Sequence, residues 1–333
     1  MNINFNTIKN IIVYYIVFSV LFFTNFSGCC NSDNTQSTPS GQSGSTIIDS
    51  NNTDASRIPD AYITAAKSSL HIAYEHTSHG SQIISGMNAL ATYPAFGTRY
   101  QWSDDGSAGL DLDDHAIDTV SHWYDLSQGD SVDGNGDTPW VVMTRAFLNN
   151  VANYHINVVM WSWCSINGHN IERYITNMER LISEYGVGGT NPRAASHPVE
   201  FVFMTGHTEG QGEAGLVAQA ATRIRSHCVT NNRWLIDYYN IECYDPAGNY
   251  YGNRNITDNL NYTGGNWTVE YLNAHHNSTL DILTMGDGGS FSGCTDCAHS
   301  GAGEGHREST LNCVLKAQAA WQLFARIAGW DGN

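Results

Sequence analysis

Four short apolar runs, each preceded or followed by a stretch with helical spacing, constrain this chain more than any other feature. The runs are His71 to Tyr74, Asn157 to Trp163, Val199 to Met204 and Trp234 to Tyr238. Short runs of this kind read as strands buried on both faces. Between them, Gly80 to Ala91 carries Ile83, Ile84, Met87 and Leu90 along one helical face, and Asn170 to Tyr185 and Ala214 to Cys228 show the same period. Ile58 to Ser69 reads as a leading helix and Thr310 to Ala328 as a long closing one. Strands alternating with helices predict a parallel sheet covered on both sides, an α/β fold built as a three-layer α/β/α sandwich with its polar strand ends on one edge. Residues 98–138, rich in Asp and Gly, read as loop, and so does the stretch 244–303.

The chain of 333 residues divides unevenly by composition. Lys9 precedes an apolar run from Ile11 to Phe23, short for a membrane span but suited to a signal-peptide core. Phe26-Ser27-Gly28-Cys29 follows and resembles the lipobox of prokaryotic lipoproteins, with Cys29 as the lipidated residue. The expected organisation is a lipoprotein signal peptide over 1–28, a Ser/Thr/Asn-rich tether over 29–57 and a single α/β domain over 58–333. That arrangement implies a secreted, cell-surface protein attached to the membrane through its lipid anchor. With 32 acidic against 15 basic residues the net charge is −17, the opposite of what a phosphate-tracking surface needs, so nucleic acid is not an expected partner.

Of the 8 cysteines, Cys29 and Cys30 belong to the anchor region. Cys164, Cys228, Cys243, Cys294, Cys297 and Cys313 remain, an even set suited to an oxidising compartment. Local pairings are expected between Cys228 and Cys243, and between Cys313 and either Cys294 or Cys297.

Three strand ends carry reactive or polar residues: His76-Thr-Ser-His79, Trp161-Ser-Trp-Cys164 and Thr205-Gly-His207. Asp296-Cys-Ala-His299 stands in a loop before the last helix. A serine nucleophile needs a base to take its proton, and the base needs an acceptor to fix its tautomer. An early serine after the first strand, followed by Asp-x-x-His just before the final helix, resembles the SGNH/GDSL hydrolase family over most of residues 68–330. The resemblance implies a flavodoxin-like sandwich and ester hydrolysis, often of acyl groups on sugars. It assigns Ser78 as nucleophile, His299 as base, Asp296 as its orienting partner and the backbone N–H of Ser78 as an oxyanion donor. Gly80, Asn167, His207, Trp161 and Trp163 are the candidate substrate and oxyanion residues. The family's Gly-Asp-Ser is His76-Thr77-Ser78 here, and its Gly-x-Asn-Asp has no counterpart near Ser162 to Ser165.

Two other readings of the same residues stand beside the hydrolase. Trp161, Trp163 and the acidic loops would suit a non-catalytic glycan-binding lipoprotein. His76, His79, His207 and His299 would suit a metal-binding protein or metal-dependent hydrolase. No cofactor is required by the hydrolase reading. The loop carrying Asp130, Asp133, Asn135 and Asp137 offers oxygen donors for a structural calcium, although it departs from EF-hand spacing.

Overall fold

The structure is a computed structural model that describes residues 45–299 and 306–333. The expected signal peptide, Cys29 and most of the expected tether lie outside the described residues. No helix among the described residues is long and apolar enough to cross a membrane.

In chain order the elements are β1 (Ile47–Ile48), α1 (Asp60–Ser69), β2 (His71–Glu75), α2 (Ser81–Thr92), β3 (Trp102–Ser103), β4 (Leu110–Asp114) and α3 (Pro139–Asn149). There follow β5 (Val158–Trp161), α4 (Ile171–Tyr185), β6 (Glu200–Met204), α5 (Leu216–Asn231), β7 (Trp234–Ile236) and α6 (Tyr238–Cys243). A short hairpin, β8 (Asn261–Tyr262) with β9 (Gly265–Asn266), leads to α7 (Trp267–Ala274), α8 (Thr279–Met285) and α9 (Leu311–Ile327). Seven strands form one sheet in the order β1-β7-β6-β5-β2-β4-β3, and every pairing is parallel. Helices α1, α2 and α9 pack together as one layer, and α3, α4 and α5 pack as another. The three-layer α/β/α expectation is met.

The middle five strands, taken in chain order, run 2-1-3-4-5, so the order reverses between β2 and β5. The crevice beyond the carboxyl ends of those two strands is where an open α/β sheet collects ligands. β5 is buried along its whole length, as a central strand covered by helices on both sides must be. The α2 and α9 helices cross so closely that a Cβ on Gly86 would come within 2.0 Å of the Cys313 carbonyl oxygen. Only glycine fits there.

The loop expected over 98–138 contains β3 and β4. Leu110 and Leu112 alternate with Asp111 and Asp113, so the period is that of a strand although Asp is disfavoured in one. The folded region also begins before residue 58. Ile47 and Ile48 pair with Leu235 and Ile236 at the sheet edge. The reason lies on α9, which is buried almost throughout yet carries Gln318, Gln322 and Arg326. A buried polar group needs a partner. Gln318 Oε1 accepts from the Ala55 N–H (2.9 Å), Gln322 Nε2 donates to the Asp54 carbonyl (2.7 Å) and Arg326 Nη1 donates to that of Ser45 (2.8 Å).

Cys297 is bridged to Cys313, while Cys164, Cys228, Cys243 and Cys294 are free. The expected Cys228–Cys243 bridge is therefore corrected. Cys228 is buried on α5 and Cys243 ends α6, each packed separately into the core.

Candidate functional site

β2 ends at Glu75, and the chain turns through His76 and Thr77 into a single 3-10 turn, Ser78–Gly80, that feeds α2. Ser78 has φ +38°, a left-handed backbone that a side-chain-bearing residue adopts at a cost of about 1–3 kcal/mol. Surrounding contacts hold it there. Thr77 Oγ1 donates to the buried Asp125 carboxylate, Tyr74 Oη donates to the Gly80 carbonyl (2.8 Å) and Ser81 Oγ donates to that of Ser78 (2.7 Å). Gly80 abuts β5's carboxyl end so tightly that a Cβ would lie 2.0 Å from Ser162 Oγ. Its N–H is taken by the Thr77 carbonyl (2.8 Å), so its contribution is space rather than an oxyanion donor.

Ser78 Oγ lies 2.5 Å from His299 Nε2. The other ring nitrogen, Nδ1, faces Asp258 Oδ2 at 3.7 Å. The nucleophile and base expected from the sequence are therefore brought together, but the acid is corrected. Asp296 is exposed, and the atom it places in the structure is its backbone carbonyl, which accepts from Ser85 Oγ. Asp258 sits in the loop before β8, a region with no strand or helix period to single it out.

His299 is placed by contacts from α2 and α9. Gln82 Nε2 donates to the Ala298 carbonyl (2.7 Å), Ser85 holds residue 296, and the disulfide ties Cys297 to α9. Beneath them Lys316 Nζ reaches both Gln82 Oε1 and Glu242 Oε1, the latter at 2.5 Å, with Lys316 and Glu242 wholly buried. Glu242 Oε2 accepts from the Thr208 N–H (2.6 Å) and hydroxyl (2.8 Å), which fixes the residue after His207.

His79 forms the back wall. Its ring is stacked between those of His207 (3.5 Å between centroids) and His299 (3.9 Å), and its Nε2 lies 3.3 Å from Asp258 Oδ2. Burial pushes His79 down to about 4, the Asp258 hydrogen bond opposes that, and the neighbouring His207 and His299 add to it. His79 is thus neutral at pH 7, and a positive charge appearing on His299 meets an uncharged ring on one side and a carboxylate on the other. For Asp258, burial alone would raise its pKa, but the His79 hydrogen bond and the histidine charges more than offset it and hold it below the ordinary carboxylate value.

The depressed His79 value has a consequence for stability. Between the ordinary value of 6.5 and about 4, the unfolded chain binds a proton that the folded chain refuses. Stability is therefore complete above 6.5 and is lost as the pH falls toward 4, by an amount approaching about 3 kcal/mol. Urea unfolding of the wild type and His79→Gln should show the wild type's relative stability shrinking across that window and level above it. A pH-independent difference would refute the assignment.

Cys164, half-buried after β5, adjoins the Ser78 and Thr77 hydroxyls, and burial pushes its thiol up, so it stays protonated and is a poor rival nucleophile. Trp161 and Trp163 are not at the surface. Each is 2% exposed, and their indole N–H groups donate to Thr144 Oγ1 (2.9 Å) and to the Met204 carbonyl (3.1 Å). Neither is available to stack on a sugar, which corrects that expectation. Asn167 stands exposed on the turn after β5, with its N–H on Ser165 Oγ (3.2 Å), and no hydrogen bond joins it to Ser78 among the described residues.

The four-histidine metal set is also divided. His79 and His299, with Asp258, could present ligand atoms within 4.8 Å of one another, but His76 belongs to a separate group with Asp114 and His115. His207 turns Nδ1 to the Thr208 carbonyl (2.7 Å). In the acidic loop, Asp137 is gripped by Arg145 and Arg180, and Asp133 Oδ1 accepts from the N–H groups of Asn135 (2.8 Å) and Asp137 (3.0 Å). Asp130 Oδ2 accepts from the Asn170 N–H (2.8 Å). A calcium ion at Asp137 would face two guanidinium groups.

Comparison of the chain with protein-family models, curated proteins and solved structures gives no match in any of the three.

Proposed function

We propose that this chain is a serine hydrolase of the SGNH type, an esterase acting on acyl groups carried by extracellular carbohydrate and held at the cell surface by a lipid on Cys29. The observation that carries the reading is the 2.5 Å approach of Ser78 Oγ to His299 Nε2, with the Asp258 carboxylate behind the ring. The serine, base and carboxylate of acyl transfer are recognised by geometry and role rather than by position in sequence.

In the proposed reaction His299 Nε2 takes the Ser78 proton as Oγ adds to the ester carbonyl. The tetrahedral oxyanion is met by the backbone N–H of Ser78 at the strained turn. Collapse expels the alcohol, which leaves with the proton held on His299, and an acyl-Ser78 remains. Water, deprotonated by His299, then releases the acid and restores Ser78. Throughout, the Asp258 carboxylate, 3.7 Å behind Nδ1, stabilises the transient imidazolium through its charge.

The test is covalent labelling. A fluorophosphonate added to the folded protein should attach to Ser78, located by mass spectrometry of its peptide, and acid denaturation beforehand should abolish the adduct. Absence of an adduct on Ser78, or an adduct unaffected by unfolding, would overturn the proposal.

A further inference from the structure

His76 sits two residues before Ser78 and takes no part in the Ser78, His299 and Asp258 group. It lies just beyond β2, beside the end of β4, where Tyr74 pairs with Asp114 and the His115 N–H continues the ladder to the Tyr74 carbonyl (3.0 Å). There His76 Nε2 lies 2.7 Å from Asp114 Oδ1, and the rings of His76 and His115 are 4.2 Å apart between centroids. Ligand atoms of His76, Asp114 and His115 fall within 4.8 Å of one another. We infer that these three residues form a binding site for a zinc-class divalent transition metal.

Four observations support it. Two imidazoles and one carboxylate are the donor set such ions prefer, whereas calcium and magnesium require oxygen. His115 Nδ1 is 2.9 Å from Glu75 Oε1, and Glu75 is fully buried and fixed through Oε2 by the N–H groups of Ile117 (3.0 Å) and Asp118 (2.7 Å). A carboxylate behind a histidine's Nδ1 fixes the ring and leaves Nε2 for a metal. His76 is 3% exposed, so its ring is fixed in place with Nε2 toward Asp114. Finally, the ion pairs of Asp114 and Glu75 are with histidines, not with Lys or Arg, among the described residues. This differs from Asp137, whose two arginines exclude a cation.

Binding would place the metal between His76 Nε2 and Asp114 Oδ1, with the single proton of the neutral ring moving from Nε2 to Nδ1. Water would complete a four-coordinate shell. The ion would clamp the ends of β2 and β4 directly before Thr77 and Ser78, a brace for the turn rather than a participant in acyl transfer. Its existence does not depend on the hydrolase reading.

The test is calorimetric titration of the full-length, chelator-treated protein with Zn²⁺, with Mg²⁺ as control. One Zn²⁺ per chain is expected and no Mg²⁺ heat. His115→Gln, on a half-buried residue, should abolish the binding, as should Asp114→Asn. Glu75→Gln should weaken it by about 10–100-fold. The double variant His79→Gln, His299→Gln should still bind. Circular dichroism melting establishes that each variant is folded. Absence of saturable Zn²⁺ binding by the wild type overturns the inference. So does binding that survives in folded His115→Gln, or that is lost in the folded His79, His299 variant, since the ion would then lie elsewhere.

Discussion

Ser78→Ala should reduce kcat for p-nitrophenyl acetate by on the order of 10⁶-fold, the scale on which removing a triad nucleophile acts. The discriminating measurement is the pair of carboxylate variants beside it. Asp258→Asn should cost about 10²–10⁴-fold. The lower part of that range applies because Asp258 Oδ2 stands 3.7 Å from His299 Nδ1, beyond direct hydrogen-bond reach, and is partly exposed. Asp296→Asn, on an exposed side chain, should change the rate by less than about twofold. Equal losses in the two variants, or a larger one at Asp296, would reverse the assignment of the acid. Retention of turnover in Ser78→Ala would remove the mechanism altogether.

The second large effect is on stability. Lys316→Met should destabilise the protein by about 3–5 kcal/mol, because breaking a buried ion pair leaves the other charge uncompensated. Burial pushes the Glu242 carboxyl up, but the Lys316 ammonium more than offsets this and holds it below its ordinary value. With Lys316 gone, Glu242 must ionise alone or take up a proton. The double variant Lys316→Met, Glu242→Gln removes the stranded charge while keeping one acceptor oxygen, enough for Thr208 or for Asn312 but not both, and should recover part of the loss. Urea denaturation of the two variants decides the point. A double variant no more stable than the single one would show that packing, including Lys316 over the Tyr238 ring at 4.1 Å, rather than charge, sets the cost.

The sheet and its helices were legible because each central strand is an apolar run and each helix keeps an apolar face. Ser78 was legible because it directly adjoins β2 and α2, and His299 because it closes the short Asp-x-x-His motif ahead of the last helix. Asp258 was not. It lies in a loop whose course is set by distant contacts, and a carboxylate there looks like any other until the fold carries it to His299. Asp296 was the nearer choice in sequence, yet the bridge at Cys297 commits that short segment to α2 and α9 and leaves its side chain in solvent. The tryptophans at the end of β5 misled in another way. Trp161 closes β5 and Trp163 lies two residues on, yet both indoles are covered and find internal partners, one on α3 and one at the end of β6. The segment before residue 58 has the composition of a tether, and its last part is folded down by the β1–β7 pairing and by the buried polar groups of α9.

Ser78 and His299 are separated by 221 residues, with most of the sheet between them. During synthesis the nucleophile turn emerges early and the base arrives nearly last, on a loop that takes its position only when α9 docks and Cys313 meets Cys297. Contacts of such long range form late and carry the largest loop-closure cost. A truncated or partly folded chain thus holds an unactivated serine, and catalytic competence becomes a readout of completed topology.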